Sequence, residues 1–200
     1  MAQQNTHTHR EAWLHDVARG LVGWFKKAGF PLPVDLRVTC GFPSSRALNG
    51  TRNQTIGQCW HPASSADGSV EIMVSPVLAD PVRVAGIFAH ELIHAAVGPG
   101  HGHKGPFRKL ALAIGLEGKM TATTEGEAFK RLIAPILESV GPYPHAALDA
   151  RKREKEGPAK QTTRLVKATC GCGYTVRLTR KWIDEVGAPH CPEHGEMEVD

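Results

Sequence analysis

No stretch of this 200-residue chain approaches the roughly 18 consecutive apolar residues that a membrane-spanning helix needs. The first ten residues are polar and lack the apolar core of a secretion signal. A soluble, cytoplasmic protein is therefore expected. The absence of a long regulatory tail adds the expectation of a bacterial or phage source, the protein working in the bacterial or phage-infected cell. There is no internal repeat, and no heptad or long exposed apolar stripe defines a partner helix, so the oligomeric state stays open. No segment marks out a small-molecule pocket. Cysteine is scarce, and its count of five is odd, which argues against a disulfide framework. Cys40 and Cys59 stand alone in strand-like contexts and are expected as buried free thiols. The other three cluster near the C-terminus at a spacing that suits metal binding.

With 41% apolar residues, the chain can build one core of about 140 residues and a small appendage. Arg10 to Ala28 reads as an amphipathic helix with Trp13, Val17, Leu21, Trp24 and Phe25 inward, ended by Gly29. Val34 to Cys40 alternates Val34, Leu36, Val38 and Cys40 as a half-buried strand does. Residues 43–55 are polar and loop-like, and Val70 to Ser75 reads as a strand. A short helix over Pro106–Gly115 would bury Phe107, Leu110 and Ile114. Thr124-Glu125-Gly126-Glu127 has the form of a capping box opening a helix that runs to about Val140.

The most informative segment is His90-Glu91-Leu92-Ile93-His94, an H-E-x-x-H pattern within what reads as a buried helix. Asp80 is a good N-cap, Pro81 suits the first helical position, and Gly98-Pro99-Gly100 stops the helix. Between these ends the residues are nearly all apolar, which is the composition of a helix buried all round. The polar exceptions, Arg83, His90, Glu91 and His94, follow one stripe. Histidines four residues apart lie on one helical face, so both can reach the same metal. Glu91 lies beside that face, placed to act on a metal-activated water without being a ligand. A catalytic zinc takes three protein ligands and keeps one position open. His101 and His103 follow at once as candidates for the third, and Glu117, Glu125 and Glu127 are the nearest downstream carboxylates. The metzincin pattern does not fit, because Val97 and Gly100 stand where it needs Gly and His.

HELIH, a Gly-rich break and then H-x-G-x-F opening a second helix resemble the SprT-like zinc metalloproteases. The resemblance extends upstream through Thr51-Arg52, Ile56-Gly57-Gln58-Cys59-Trp60 and the strand at Val70–Ser75. It covers roughly residues 10–140 and is strongest over 50–115. It implies a catalytic zinc held by His90, His94 and His103, the last standing four residues before Phe107, with His101 the runner-up. One departure is that the family's usual H-G-x-x-F reads His-Lys-Gly-Pro-Phe here, its glycine one place later.

Residues 141–161 carry Gly141-Pro142-Tyr143-Pro144 and a charged run ending at Gly157-Pro158, which is linker composition. Beyond it, Cys170-x-Cys172 and Cys191-x-x-His194 are separated by 18 residues, as suits a closed Cys3His zinc site. His190 competes with His194, which keeps the usual two-residue spacing. So small a module has little apolar core, and its metal must supply folding energy. Tyr174 and Trp182 are expected to be among its few packing residues, with base stacking as the other reading. Similar ribbons often end SprT-like proteins.

The fold class expected is thus α+β. A zincin-like minimal metalloprotease domain (10–140) with its active-site helix against a small sheet comes first. A basic linker (141–161) and a zinc ribbon (162–200) follow. Charge is uneven: residues 149–181 hold ten Lys/Arg against three Asp/Glu, whereas residues 182–200 hold six acidic residues and no Lys or Arg. Arg151, Lys152, Arg153, Arg164, Lys167, Arg177, Arg180 and Lys181 are the candidates for contacting a phosphate backbone. The function expected is a zinc endopeptidase with one catalytic and one structural zinc and Glu91 as general base. By resemblance it cleaves proteins bound or crosslinked to DNA, with single strands or single/double-strand junctions as the DNA partner. The alternative is a catalytically inert zinc-containing DNA-binding protein.

Overall fold

The computed structural model describes residues 7–43, 54–149 and 165–200. It is a mixed α+β structure that divides into two compact units, Met1–Arg153 and Glu154–Asp200. Among the described residues no helix is long and apolar enough to cross a membrane.

The first unit opens with α1 (Arg10–Lys27) and β1 (Leu36–Cys40), followed by β2 (Gly57–Trp60), a 3-10 turn at Pro62–Ser64 and β3 (Val70–Val74). Three helices follow, α2 (Pro81–Val97), α3 (Pro106–Ala113) and α4 (Glu127–Val140), with β4 (Leu116–Lys119) and β5 (Ala122–Glu125) between the last two. The sheet runs β1-β3-β2, β1 parallel and β2 antiparallel to the central β3. The strand β3 has Val70, Ile72 and Val74 buried, as a central strand with one face on the core requires.

α2 is the spine of the unit and packs on β2, β3, β5 and all three other helices of the unit. Its start is fixed as the sequence suggests: the Asp80 side chain accepts the Arg83 N–H at 2.7 Å. Every residue from Val84 to Ile93 is buried, so the helix cannot shed its polar residues to water and must give them partners. The helix α3 buries Phe107, Leu110 and, at its end, Ile114, as expected.

Several expectations need correction. Trp24 is 44% exposed, because α1 turns that face to solvent and packs through Trp13, Leu14, Val17, Leu21 and Phe25. Val34 is 97% exposed and precedes the strand, which begins at Leu36. The capping box does not form. Thr124 pairs with Glu117 in the β4–β5 hairpin, and α4 starts at Glu127, after a Gly126 N-cap that has no side-chain bond. Residues 141–149, read as linker, pack back on the first unit. Tyr143 is buried against Trp13 with ring centroids 5.0 Å apart, and the Leu148 N–H donates to Pro76 O. Cys40 and Cys59 are free thiols, each only partly buried.

The second unit holds β6 (Leu165–Thr169), β7 (Thr175–Thr179), α5 (Arg180–Val186), β8 (His190–Cys191), β9 (Gly195–Glu196) and β10 (Glu198–Val199). β10-β6-β7 form one antiparallel sheet and β8-β9 a short hairpin. Its buried set is Ala168, Cys170, Cys191 and Met197. Tyr174 and Trp182 do not join it: they are 48% and 52% exposed, which corrects the packing role expected of them.

Candidate metal centres

Two clusters among the described residues could hold a metal ion: His90, His94 and His103 in the first unit, and Cys170, Cys172, Cys191 and His194 in the second. In each, the ligand atoms all lie within 4.8 Å of one another.

In the first cluster α2 supplies two imidazoles from adjacent turns, and the loop before α3 brings the third. His103 Nε2 stands 3.2 Å from His90 Nε2 and 3.2 Å from His94 Nε2. His101 is exposed and outside the cluster. All three rings pack on the buried ring of Phe107, with centroids 4.8, 4.4 and 4.9 Å away for His90, His94 and His103. The aromatic that opens α3 thus serves as a common floor for the site. Burial, with a smaller contribution from the neighbouring imidazoles, lowers His90 to about 3 and His94 to about 4. Burial also lowers His103. At neutral pH the rings are uncharged, which leaves nitrogen lone pairs free to coordinate a cation.

Glu91 is buried beside them, and desolvation alone raises its carboxyl to about 8. A cation held by the histidines acts in the opposite direction and favours the carboxylate. Room for this side chain depends on Gly57 in β2, where a Cβ would stand 2.6 Å from Glu91 Oε1 and 2.8 Å from Ile87 Cγ2. Glu91 and the histidines line a cleft of about 820 Å³ bounded by residues 54–59 on one side and the β4–β5 hairpin on the other. His61 and Gln58 also line it. Cys59 lines it as a neutral thiol, pushed up to about 12 by burial and then by Glu91.

The opposite end of His90 is also held. Its Nδ1 lies 2.9 Å from Thr123 Oγ1, and Thr123 is the one buried residue of β5. Arg83, one further member of the polar stripe, donates through Nη1 to Thr123 O at 3.1 Å and to Glu125 Oε1 at 2.8 Å. None of Phe107's ring contacts, Gly57's close approach or the Thr123 bond was read as part of the site from sequence. Only Gly57 and Phe107 carried a signal, since they belong to the motif segments.

No family model matches the chain, nor does any curated protein or solved structure. The chemistry must therefore be argued from the side chains.

In the second unit Cys172 Sγ is 3.8 Å from Cys191 Sγ, and Cys191 Sγ is 3.5 Å from His194 Nδ1. The Glu193 N–H and then the His194 ring lower the Cys191 thiol below its ordinary value, which favours the thiolate that a metal needs. His190 is exposed in β8 and outside the cluster. Of the basic residues proposed to meet a phosphate backbone, Arg151, Lys152, Arg153 and Arg164 lie outside the described residues. Lys167 and Arg177 are exposed and directly paired across β6 and β7. Arg180 and Lys181 open α5, and Lys181 Nζ lies 5.4 Å from the centroid of the exposed Trp182 ring.

Proposed function

We infer that the protein is a zinc-dependent endopeptidase of the SprT-like type, its zincin-like first unit carrying the catalytic metal and its second unit a structural zinc ribbon. The observation that carries this reading is the convergence of His90, His94 and His103 in an open cleft beside a buried Glu91. Zn–N bonds of about 2.0–2.1 Å in tetrahedral geometry set nitrogen ligands about 3.3–3.4 Å apart. His103 Nε2 stands 3.2 Å from each of the other two Nε2 atoms, close to that edge length. Zn–S bonds of about 2.3 Å call for sulfurs about 3.8 Å apart and an S–N edge of about 3.6 Å. The 3.8 and 3.5 Å separations at the second cluster fit this too. Three nitrogen ligands leave a coordination position open, whereas Cys3His closes the shell. That difference supports a catalytic role for the first site and a structural one for the second.

When bound at the three histidines, zinc supplies positive charge that acidifies water and polarises a carbonyl. Glu91 takes the proton from the attacking water as the C–O bond forms. It then returns that proton to the amide nitrogen as the C–N bond breaks, releasing an amine and a carboxylic acid, which ionises afterwards. The histidines hold geometry, and Phe107 fixes their rings. The cleft, about 820 Å³ and lined by residues 54–59 and the β4–β5 hairpin, has room for a segment of extended chain. The basic pair Lys167–Arg177, the start of α5 and the charged segment 149–181 support attachment to DNA, with proteins on DNA as substrates. The test is cleavage of a DNA-binding protein by the full chain, with and without single-stranded DNA. Cleavage that DNA stimulates supports both halves of the reading. Cleavage that ignores DNA removes the nucleic-acid half, and no cleavage by protein holding two zinc ions leaves an inert DNA-binding protein.

A further inference from the structure

Thr123 is 33 residues from His90 and belongs to no motif, yet it is one of the few polar residues that the first unit buries completely enough to need a partner. Its hydroxyl is 2.9 Å from His90 Nδ1. His90 Nε2 points to the other two histidines, so the ring's proton belongs on Nδ1, from which it donates to Thr123 Oγ1. Thr123 is itself fixed from both sides. Its backbone pairs with Gly118 in the hairpin, and its carbonyl accepts from Arg83 Nη1 at 3.1 Å. The same guanidinium nitrogen donates to Glu125 at 2.8 Å, and Glu125 lies against α2 because position 86 is glycine. A Cβ there would stand 2.0 Å from Glu125 Oε1. Arg83 and His90 are two turns apart on one stripe of α2, so a single helix face grips the hairpin at both points.

We propose that Thr123 is a positioning residue for the metal centre: it accepts the His90 Nδ1–H, and the Arg83–Glu125 pair clamps the β4–β5 hairpin to α2 so that this acceptor stays in place. The proposal rests on the zinc reading above. A partner at the distal ring nitrogen fixes the tautomer and aim of a ligating histidine, and losing one weakens metal binding about 10–100-fold. Glu125, weighed from sequence as a possible ligand, instead serves the clamp.

The test is zinc competition against a chromogenic chelator using the full chain, with the ribbon's zinc as internal control. Thr123→Val keeps the shape and removes the acceptor. It should weaken zinc about 10–100-fold at the histidine site only, and Thr123→Ser should restore wild-type affinity. Equal affinity in wild type and Thr123→Val, or a serine variant as weak as the valine, overturns the proposal alone. Wild-type protein that keeps only the ribbon's zinc overturns the catalytic reading and this proposal with it. Should the valine variant not fold, wild-type NMR decides. A His90 Nδ1 proton that exchanges slowly with water in the zinc-loaded protein supports the bond, and one that exchanges freely contradicts it.

Discussion

A single methyl group at position 57 tests how closely the sheet edge approaches the Glu91 carboxyl. Gly57→Ala places a carbon 2.6 Å from Glu91 Oε1, and the rigid strand cannot yield as easily as the side chain. Displacing a reacting group by about 1 Å costs up to about 100-fold in rate. Steady-state kinetics on Gly57→Ala should therefore show kcat lowered about 10–100-fold, with full zinc retained. Undiminished kcat would show that Glu91 need not occupy this position. The third ligand is equally testable: His103→Ala should lose the first unit's zinc by metal analysis, and His101→Ala should keep it, since only His103 Nε2 meets the other two nitrogens. Glu91 also gives a pH signature once metal is removed. Its folded value of about 8 exceeds its ordinary 4.5, so the folded state holds a proton that the unfolded chain has lost. Its contribution to stability is full below pH 4.5 and declines as pH rises through 8. Metal-free Glu91→Gln lacks this loss, so urea unfolding of the first unit should show the variant gaining on wild type across that window. The lowered histidines destabilise both proteins alike as pH falls below 6.5. A constant gap between wild type and variant would contradict the burial of Glu91.

At the level of elements, what the sequence made legible was whatever is written locally. α2 could be read because Asp80, Pro81 and the Gly98–Gly100 break mark both ends of an apolar run. Asp80→Ala should cost about 1 kcal/mol, read as a lower urea midpoint, because it removes the bond to the Arg83 N–H. An unchanged midpoint would mean that packing alone fixes that end. The β4–β5 hairpin was not legible. Leu116-Glu117-Gly118-Lys119 is short and polar with a central glycine, and Thr124-Glu125-Gly126-Glu127 imitates a helix start. Pairing with β4 outweighs the capping preference there, which is a tertiary effect no local pattern carries. Trp24 and Val34 failed for a related reason: an apolar residue at the rim of an amphipathic pattern is inward or outward according to what packs beside it. The candidate metal ligands were legible because coordination restricts both residue type and spacing, whereas Thr123 is brought to His90 only by the folded hairpin.

At the scale of the whole molecule, the two units should respond differently to metal loss. The first has a continuous core that includes Trp13, Phe25, Phe88, Leu92 and Phe129, whereas the described residues of the second include four that are buried, two of them candidate ligands. Chelation should unfold the second unit and leave the first folded, seen as loss of amide protection confined to residues 165–200. Protection lost equally in both units would contradict this division. Because ten Lys/Arg of residues 149–181 would be the groups that meet phosphates, any DNA affinity should fall steeply as salt rises. The most direct test of peptide hydrolysis at the three-histidine site is kcat/KM on a protein substrate for wild type and Glu91→Gln at equal zinc content. Glu91→Gln should lower it about 100-fold to 10,000-fold with zinc unchanged; equal rates in the two proteins would show that Glu91 is not the general base.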